Sequence, residues 1–188
     1  MGKNIGLRAF QNARLRKQQK KTQVGAWSQP SLLHQTGHVS KPQARCPETL
    51  QRDPGHFDAL HLLGVTEFQA GRYEEADRIL QQALRVNPRS TAAHANRGIA
   101  LHELKRFDEA LACFAAALAL TPDHPETHSN RGNTLMDLER FDEALASYDR
   151  AIAIKPDYAD ALVNRGNVLV KLRRFDEAVA SCDRAIAI

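Results

Sequence analysis

The stretch GNTLMDLERFDEALASYDRAIAIKP at residues 132–156 returns, slightly changed, as GNVLVKLRRFDEAVASCDRAIAI at residues 166–188. The two copies lie 34 residues apart, and residues 122–154 and 156–188 are identical at 21 of their 33 positions. The same spacing extends upstream through four sets of small residues and prolines, which are Pro54, Pro88, Pro122 and Pro156; Gly64, Gly98, Gly132 and Gly166; Ala76, Ala110, Ala144 and Ala178; and Ala83, Ala117, Ala151 and Ala185. A fixed period of this length predicts an array of stacked structural units.

Each unit is predicted to consist of two helices, for example over residues 91–104 and 107–120. The second stretch places apolar residues at the helical period, and Pro122 then follows the helix at a point where its missing N–H costs little. Gly98 and Ala110 would let the two helices approach closely. The remaining volume would be filled by aromatic side chains, namely Tyr73, Phe107, Phe114, Phe141, Tyr148 and Phe175.

These residues resemble the tetratricopeptide repeat (TPR) family, whose pattern of small, aromatic and proline positions is met by Gly132, Phe141, Ala144, Tyr148, Ala151 and Pro156. The resemblance covers residues 54–188, divided into repeats at 54–87, 88–121, 122–155 and 156–188. It implies an all-α fold, a right-handed α-solenoid of helix pairs. Its concave face would be lined mainly by the first helix of each pair.

The pattern departs from the family at the residue before the glycine, which is commonly leucine and here is Arg97, Arg131 or Arg165. We interpret each arginine as laying its stem on the core and extending its guanidinium to water or a carboxylate. A role in binding a ligand is the alternative.

Charge is distributed unevenly along the chain. Residues 1–53 carry ten Lys/Arg against Glu48 and Asp53, whereas residues 54–188 carry sixteen against twenty acidic residues. Residues 1–21 are interpreted as a basic, disordered arm, and residues 22–53 as a decayed, mostly irregular repeat with Pro42 and Pro47 inside its second helix. The arm lacks interleaved aromatic residues, so nucleic-acid binding is disfavoured despite the pI near 9.1.

The last repeat ends at Ile188 without the lysine and proline that follow Ile154, and no polar capping helix comes after it. Solenoids need such caps because the final repeat otherwise exposes its stacking face. The chain is therefore expected to be a truncated fragment, or to self-associate through the face near Val179, Cys182 and Ile186.

No pattern in the sequence indicates catalysis, so we expect no enzyme activity, no cofactor and no metal. The histidines, among them His94, His124 and His128, offer no convincing third ligand for zinc. Cys113 and Cys182 are interpreted as small buried hydrophobic residues. Three scattered cysteines and no stretch of 18 apolar residues favour a cytoplasmic protein without a membrane span.

The candidate site is a row of polar residues on the predicted first helices. Asn96, Asn130 and Asn164 recur every 34 residues and would stack into a ladder whose amides can donate to and accept from an extended peptide. The alternative is that each asparagine bonds a neighbouring helix to fix repeat stacking. The predicted groove residues are His61, Asn96, His102, Asn130, Asn133, Asn164 and Asn167.

The predicted function is a protein-interaction module that binds a peptide or protein in this groove. The TPR clamp for acidic chaperone tails is disfavoured, because its cationic positions fall on Glu126 and Asn130, or on Asp160 and Asn164. The ladder instead resembles the repeats of O-GlcNAc transferases and their SPINDLY relatives, where it binds substrate peptides. The alternative is therefore the N-terminal substrate-binding part of a truncated glycosyltransferase whose catalytic domain is absent.

Overall fold

The structure, a computed structural model, describes residues 46–188, and within them it contains helices and no strands. The all-α prediction is confirmed. The helices are α1 (Cys46–Arg52), α2 (Phe57–Gln69), α3 (Tyr73–Val86), α4 (Thr91–Glu103), α5 (Phe107–Leu120), α6 (Pro125–Asp137), α7 (Phe141–Ile154), α8 (Ala159–Lys171) and α9 (Phe175–Ile186).

Helices α2 to α9 form an α-solenoid of four helix pairs. Each even-numbered helix packs against the odd-numbered helix that follows it, and that second helix also contacts the first helix of the next pair. The predicted helices over 91–104 and 107–120 agree with α4 and α5 to within one residue. None of the helices in residues 46–188 is long and apolar enough to cross a bilayer.

The interior is built from the small and aromatic residues that repeat in the sequence. A Cβ added to Gly98 would lie 2.6 Å from Cε1 of Phe114, and one added to Gly132 would lie 2.7 Å from Cε1 of Tyr148. Both rings are fully buried. The predicted close approach of the paired helices at the glycines is therefore confirmed.

Phe175 contradicts the prediction that all six aromatic residues fill the interior. Its side chain is 58% exposed, whereas the equivalent Phe141 is partly buried against the core cluster that spans α6 to α9. Phe175 begins α9, and no further helix pair packs on that side within the described residues.

Pro47 is tolerated in α1 because it is the second residue of that helix, where its missing N–H would have had no partner. This position corrects the prediction from the sequence, which puts Pro47 in the interior of a helix. The predicted basic arm at 1–21 and most of the degenerate segment at 22–53 lie outside the described residues.

The turn inside each helix pair requires a left-handed backbone conformation. Gly71 adopts it with φ of 76°, and the equivalent Lys105, Glu139 and Arg173 adopt it with φ of 61°, 59° and 59°. In the second pair, the N–H of Arg106 then donates to the carbonyl oxygen of Leu101 at 2.9 Å and closes the helix end. Three of the four turns thus place a side chain where glycine is favoured.

Replacing Glu139 or Arg173 by glycine should raise the free energy of unfolding by about 0.5–1 kcal/mol each. The left-handed conformation costs a residue with a Cβ roughly 1–2 kcal/mol, and the greater freedom of glycine in the unfolded chain offsets part of that gain. Urea denaturation measures the change. Gly71→Ala is the matched control and should be destabilising; stabilisation by Gly71→Ala would contradict this account of the turns.

Candidate functional site

The first helices of the four pairs form one row. Helix α2 contacts α4, α4 contacts α6, and α6 contacts α8, while each second helix packs between the first helices of its own and the next pair. The predicted groove residues all lie on this row. We refer to α2, α4, α6 and α8 together as the inner row.

His61 and Asn96 bond to each other across the first two repeats. Nδ2 of Asn96 donates to Nε2 of His61 at 2.9 Å, and both side chains are partly buried. Burial lowers the pKa of His61, with the nearby Asp58 carboxylate opposing that effect, so the ring is neutral and Nε2 can accept at pH 7. This contact joins α2 to α4.

Asn133 and Asn164 make the corresponding link between the third and fourth repeats. Nδ2 of Asn164 donates to Oδ1 of Asn133 at 3.0 Å, and the hydroxyl of Tyr148 donates to the same oxygen at 2.6 Å. Burial raises the pKa of Tyr148, which keeps the hydroxyl a donor. Asn96 and Asn164 therefore both bond the preceding repeat, as the stacking interpretation expects.

Asn130, the middle residue of the ladder, makes no such bond. Its side chain is 2% exposed, and its Oδ1 is buried without a hydrogen-bond partner. The preceding repeat explains this, because Ala95 stands where the first repeat has His61, and Ile99 stands where the third has Asn133. Neither can donate or accept, so Asn130 is the ladder residue that stacking does not use.

His102 is buried between α4 and α6 and does not line an open groove. Its Nδ1 lies 2.9 Å from Oγ1 of Thr134, and its Nε2 lies 3.3 Å from Oδ2 of Asp137. Its ring also meets that of Phe107 edge to face, with centroids 5.4 Å apart. Burial lowers its pKa to about 4, although Asp137 favours the charged form. His102 is therefore a neutral contact between repeats.

Asn167, the last of the predicted groove residues, lies on α8 and is partly exposed. Sequence reasoning missed Thr134 and Asp137, which contact His102 from α6. The spacing of Thr134 could have identified it, because a threonine on a helix can donate to the carbonyl oxygen four residues earlier. Its hydroxyl does so, to the carbonyl oxygen of Asn130 at 3.1 Å.

The arginines that precede the glycines contact groups on neighbouring helices. Nε of Arg97 donates to Oδ1 of Asp77 at 2.7 Å, and Nε of Arg165 donates to Oδ1 of Asp149 at 2.6 Å. Arg131 instead donates to the hydroxyl of Ser147 at 3.0 Å. The contacts of Arg97 and Arg165 agree with the interpretation of each guanidinium as extending to a carboxylate, whereas Arg131 departs from it by bonding a hydroxyl.

Arg131 lacks a carboxylate because of the composition of the preceding repeat. The second repeat has Leu111 where the first has Asp77, and Ala115 where the third has Asp149. Asp77 itself is shared, since its Oδ2 also accepts from Nη1 of Arg106 at 2.8 Å.

The histidines considered for zinc binding have structural contacts. His94 and His128 bond the carbonyl oxygens of Pro88 and Pro122 through Nε2, at 3.0 and 2.8 Å. His124 is the N-cap of α6, and its Nδ1 accepts from the N–H of Thr127 at 3.3 Å. No group of three or more potential metal ligands occurs in the described part of the chain.

Cys113 and Cys182, which the sequence predicts to be buried, lie on the second helices of their pairs, α5 and α9. Cys113 is buried, and burial raises the pKa of its thiol, which disfavours the reactive thiolate. Cys182 is partly buried and faces Gly166, where an added Cβ would lie 2.9 Å from its Sγ. It thus occupies the place that Phe114 and Tyr148 take in the two preceding repeats.

Short regions of the chain match known proteins in sequence. An FK506-binding protein-like protein of Rattus norvegicus is 34% identical over 62 residues, which are 33% of this chain and 18% of that protein. Its counterpart from Homo sapiens is 36% identical over 53 residues, or 28% of this chain and 15% of that protein. The chain therefore matches less than a fifth of the length of these relatives.

Solved structures share the fold over most of the chain. A crystal structure of MamA has a TM-score of 0.73 at 23% identity, covering 77% of this chain and 85% of MamA. PilF of Pseudomonas aeruginosa has 0.71 at 21%, covering 77% and 66%. YrrB, described as a TPR protein with an unusual peptide-binding site, has 0.66 at 24%, covering 77% and 75%.

Family models give the assignment that the repeat spacing predicts. Models described as tetratricopeptide repeats match residues 61–125 and 159–188, and a third, described as a TPR repeat, matches residues 132–173. Together they cover well over half of the chain. The chain belongs to the tetratricopeptide repeat family.

Proposed function

We propose that this chain is a protein-interaction module that binds an extended peptide or protein segment along the inner row. TPR repeats and the similarity to TPR proteins support an interaction module in general terms. The inner row adds a reason to place the partner there. The side chains of Asn96 and Asn164 are hydrogen-bonded to the preceding repeat, whereas Oδ1 of Asn130 has no hydrogen-bond partner.

The observation that carries the proposal is the unsatisfied amide of Asn130. A buried acceptor without a partner costs about 1–3 kcal/mol, and such groups are rare in folded proteins. A peptide that offered a backbone N–H would recover that bond. Asn133, one turn further along α6, already holds two donors on its Oδ1, so Asn130 is the better acceptor for a ligand.

The experiment that tests the proposal separates binding from stacking. In a triple variant with Asn96, Asn130 and Asn164 replaced by alanine, proteins captured from a lysate by the full chain should be lost. The single variants should divide the effects. Asn96→Ala and Asn164→Ala should lower the melting temperature, since each removes an inter-repeat hydrogen bond worth about 0.5–1.5 kcal/mol, whereas Asn130→Ala should weaken capture at unchanged or higher stability.

Gln81→Ala, which removes an exposed amide from α3 on the opposite row, is the matched control and should change neither quantity. If the triple variant melts earlier but captures the same proteins as the original chain, the asparagines serve stacking alone, and the inner row is not the binding surface.

The alternative of a glycosyltransferase substrate-binding part receives no support from the family models or from the structural neighbours, which are TPR proteins. The proposed module is not an enzyme. A cytoplasmic location is part of the proposal, because three cysteines scattered along the chain are too few for a disulfide framework.

Self-association through the last repeat is a second candidate function, favoured by exposed apolar side chains on α9. Phe175 and Val179 are each 58% exposed, and Ile186 is 82% exposed. Contiguous exposed apolar surface marks interaction sites. Sedimentation of Val179→Glu beside the original chain tests it, because an oligomer held by this face should dissociate.

A further inference from the structure

We propose that the partner of the inner row is an extended cationic peptide, with a backbone N–H bonded by Asn130 and with lysine or arginine side chains paired with Glu126 and Asp137. The inference rests on the proposed function and names the chemistry of its partner. It is carried by one face of α6.

Four polar residues follow one another along that face. Glu126, Asn130, Asn133 and Asp137 are spaced by four, three and four residues, the spacing that places side chains on one side of a helix. The unpaired amide of Asn130 therefore lies between two carboxylates, one near each end of α6. Asn130 is 2% exposed, so its side chain must turn toward the solvent before Oδ1 can accept from a peptide.

The carboxylates on this face remain available for a cation. The side chain of Asp137 is 47% exposed, and its contact at 3.3 Å is with His102, which is neutral at pH 7. The side chain of Glu126 is 27% exposed and lies 3.4 Å from Nδ1 of His124. That nitrogen also accepts from the N–H of Thr127 as the N-cap of α6.

The next first helix adds one carboxylate and one ammonium group at the equivalent positions. Asp160 stands on α8 at the position equivalent to Glu126 and is exposed, and Lys171 stands at the position equivalent to Asp137. The equivalent positions of α6 and α8 thus carry three carboxylates and one ammonium group. The cationic positions of the TPR clamp for acidic tails fall on Glu126 and Asn130, or on Asp160 and Asn164, so neither set supplies a cation and that partner class is disfavoured.

The backbone of an extended peptide offers N–H donors for the side-chain oxygen of Asn130. Asn130 is the ladder residue without an inter-repeat bond, and an exposed peptide strand presents N–H groups that alternate in direction along its length. Side chains on the two sides of such a strand would reach toward the carboxylates at the two ends of α6. Charge then selects the partner, while the amide bond is independent of the partner's sequence.

The test uses three end-capped synthetic peptides of equal length, which alternate threonine with lysine, with glutamine or with glutamate. Fluorescence anisotropy with the full chain measures their affinities at low and physiological salt. The lysine peptide should bind most tightly and the glutamate peptide least, and salt should weaken the lysine peptide most, because exposed charge pairs are screened.

Variants assign the two parts of the site. Asn130→Ala should weaken the lysine and glutamine peptides alike, by about two- to tenfold, as expected for one lost hydrogen bond. Asp137→Asn and Glu126→Gln should each weaken the lysine peptide alone, by up to about fivefold, the range of an exposed ion pair. Asp108→Asn, which removes an exposed carboxylate from α5, is the matched control and should leave all three peptides unchanged.

Three results would overturn the inference. Equal binding of the lysine and glutamine peptides, lost in Asn130→Ala, would leave the proposed function standing and refute the cationic partner. If neither Asn130→Ala nor Asp137→Asn changes the affinity for the lysine peptide, the peptide binds elsewhere on the chain. Binding that requires deletion of the basic residues 1–21 would make that segment of the chain itself the occupant.

Discussion

Replacing Gly98 by alanine should lower the free energy of unfolding by about 1–3 kcal/mol, the range found for forcing an extra carbon into a packed core. The added Cβ would lie 2.6 and 2.9 Å from Cε1 and Cδ1 of Phe114. Real contacts of a Cβ are longer, and the ring is fully buried, so it has no free space to move into. Either α4 and α5 must separate or the ring must leave its rotamer.

Gly166→Ala is the matched control, because the nearest atom there is Sγ of Cys182, 2.9 Å from the added Cβ, and the next is the carbonyl oxygen of Ala178 at 3.4 Å. Cys182 is partly exposed and its side chain can turn away, so the loss should be clearly smaller. In the double variant, Phe114→Cys should reduce the loss of unfolding free energy caused by Gly98→Ala, because it removes the ring that the added Cβ would contact. Guanidinium chloride denaturation measures the original chain, the three single variants and the double variant, and additive losses would contradict the proposed clash.

Lowering the pH from 7 to 4 should destabilise the protein, and His102 should account for a large part of the loss. Burial lowers the pKa of His102 from 6.5 to about 4, so the folded chain binds fewer protons than the unfolded chain between these values. Stability is then complete above pH 6.5 and falls as the pH decreases toward 4. The shift corresponds to a loss of roughly 3 kcal/mol at most.

His102→Gln isolates this contribution, since glutamine can still bond Thr134 but does not titrate. The variant should lose less stability than the original chain between pH 6.5 and 4. Some dependence should remain, because burial also lowers the pKa values of His61 and His128. The arginine partners of Glu109 and Glu143 lower the pKa values of those carboxylates, so their effect falls at lower pH. An identical pH profile in both chains would show that His102 does not titrate on unfolding as described.

The fold could be predicted from the sequence because the same pattern of small, aromatic and proline residues occurs in four consecutive repeats. A 34-residue period fixes the helix pairs, and Gly98 opposite Phe114 follows from two small positions and one aromatic position that recur together. Phe175 was predicted wrongly because the same residue type is covered in one repeat and exposed in another, depending on what packs beside it. Periodicity describes the unit and not its neighbours.

The site was less predictable for the same reason. Asn96, Asn130 and Asn164 look equivalent in sequence, yet their partners come from the preceding repeat, and that repeat differs each time. Comparing Ala95 with His61, and Ile99 with Asn133, reveals the difference once the contacts are known. The ladder is thus divided into two stacking residues and one buried amide whose oxygen has no hydrogen-bond partner.

Site-specific photo-cross-linking tests the central claim, that partners bind along the inner row, most directly. A photoreactive residue at Asn167, which is partly exposed on α8, is compared with one at Ala115, which is exposed on α5. The account predicts protein adducts from position 167 that become fewer with Asn130→Ala, and few or none from position 115. Adducts that form from position 115 and not from position 167 would contradict it, because they would place the partner on the second helices.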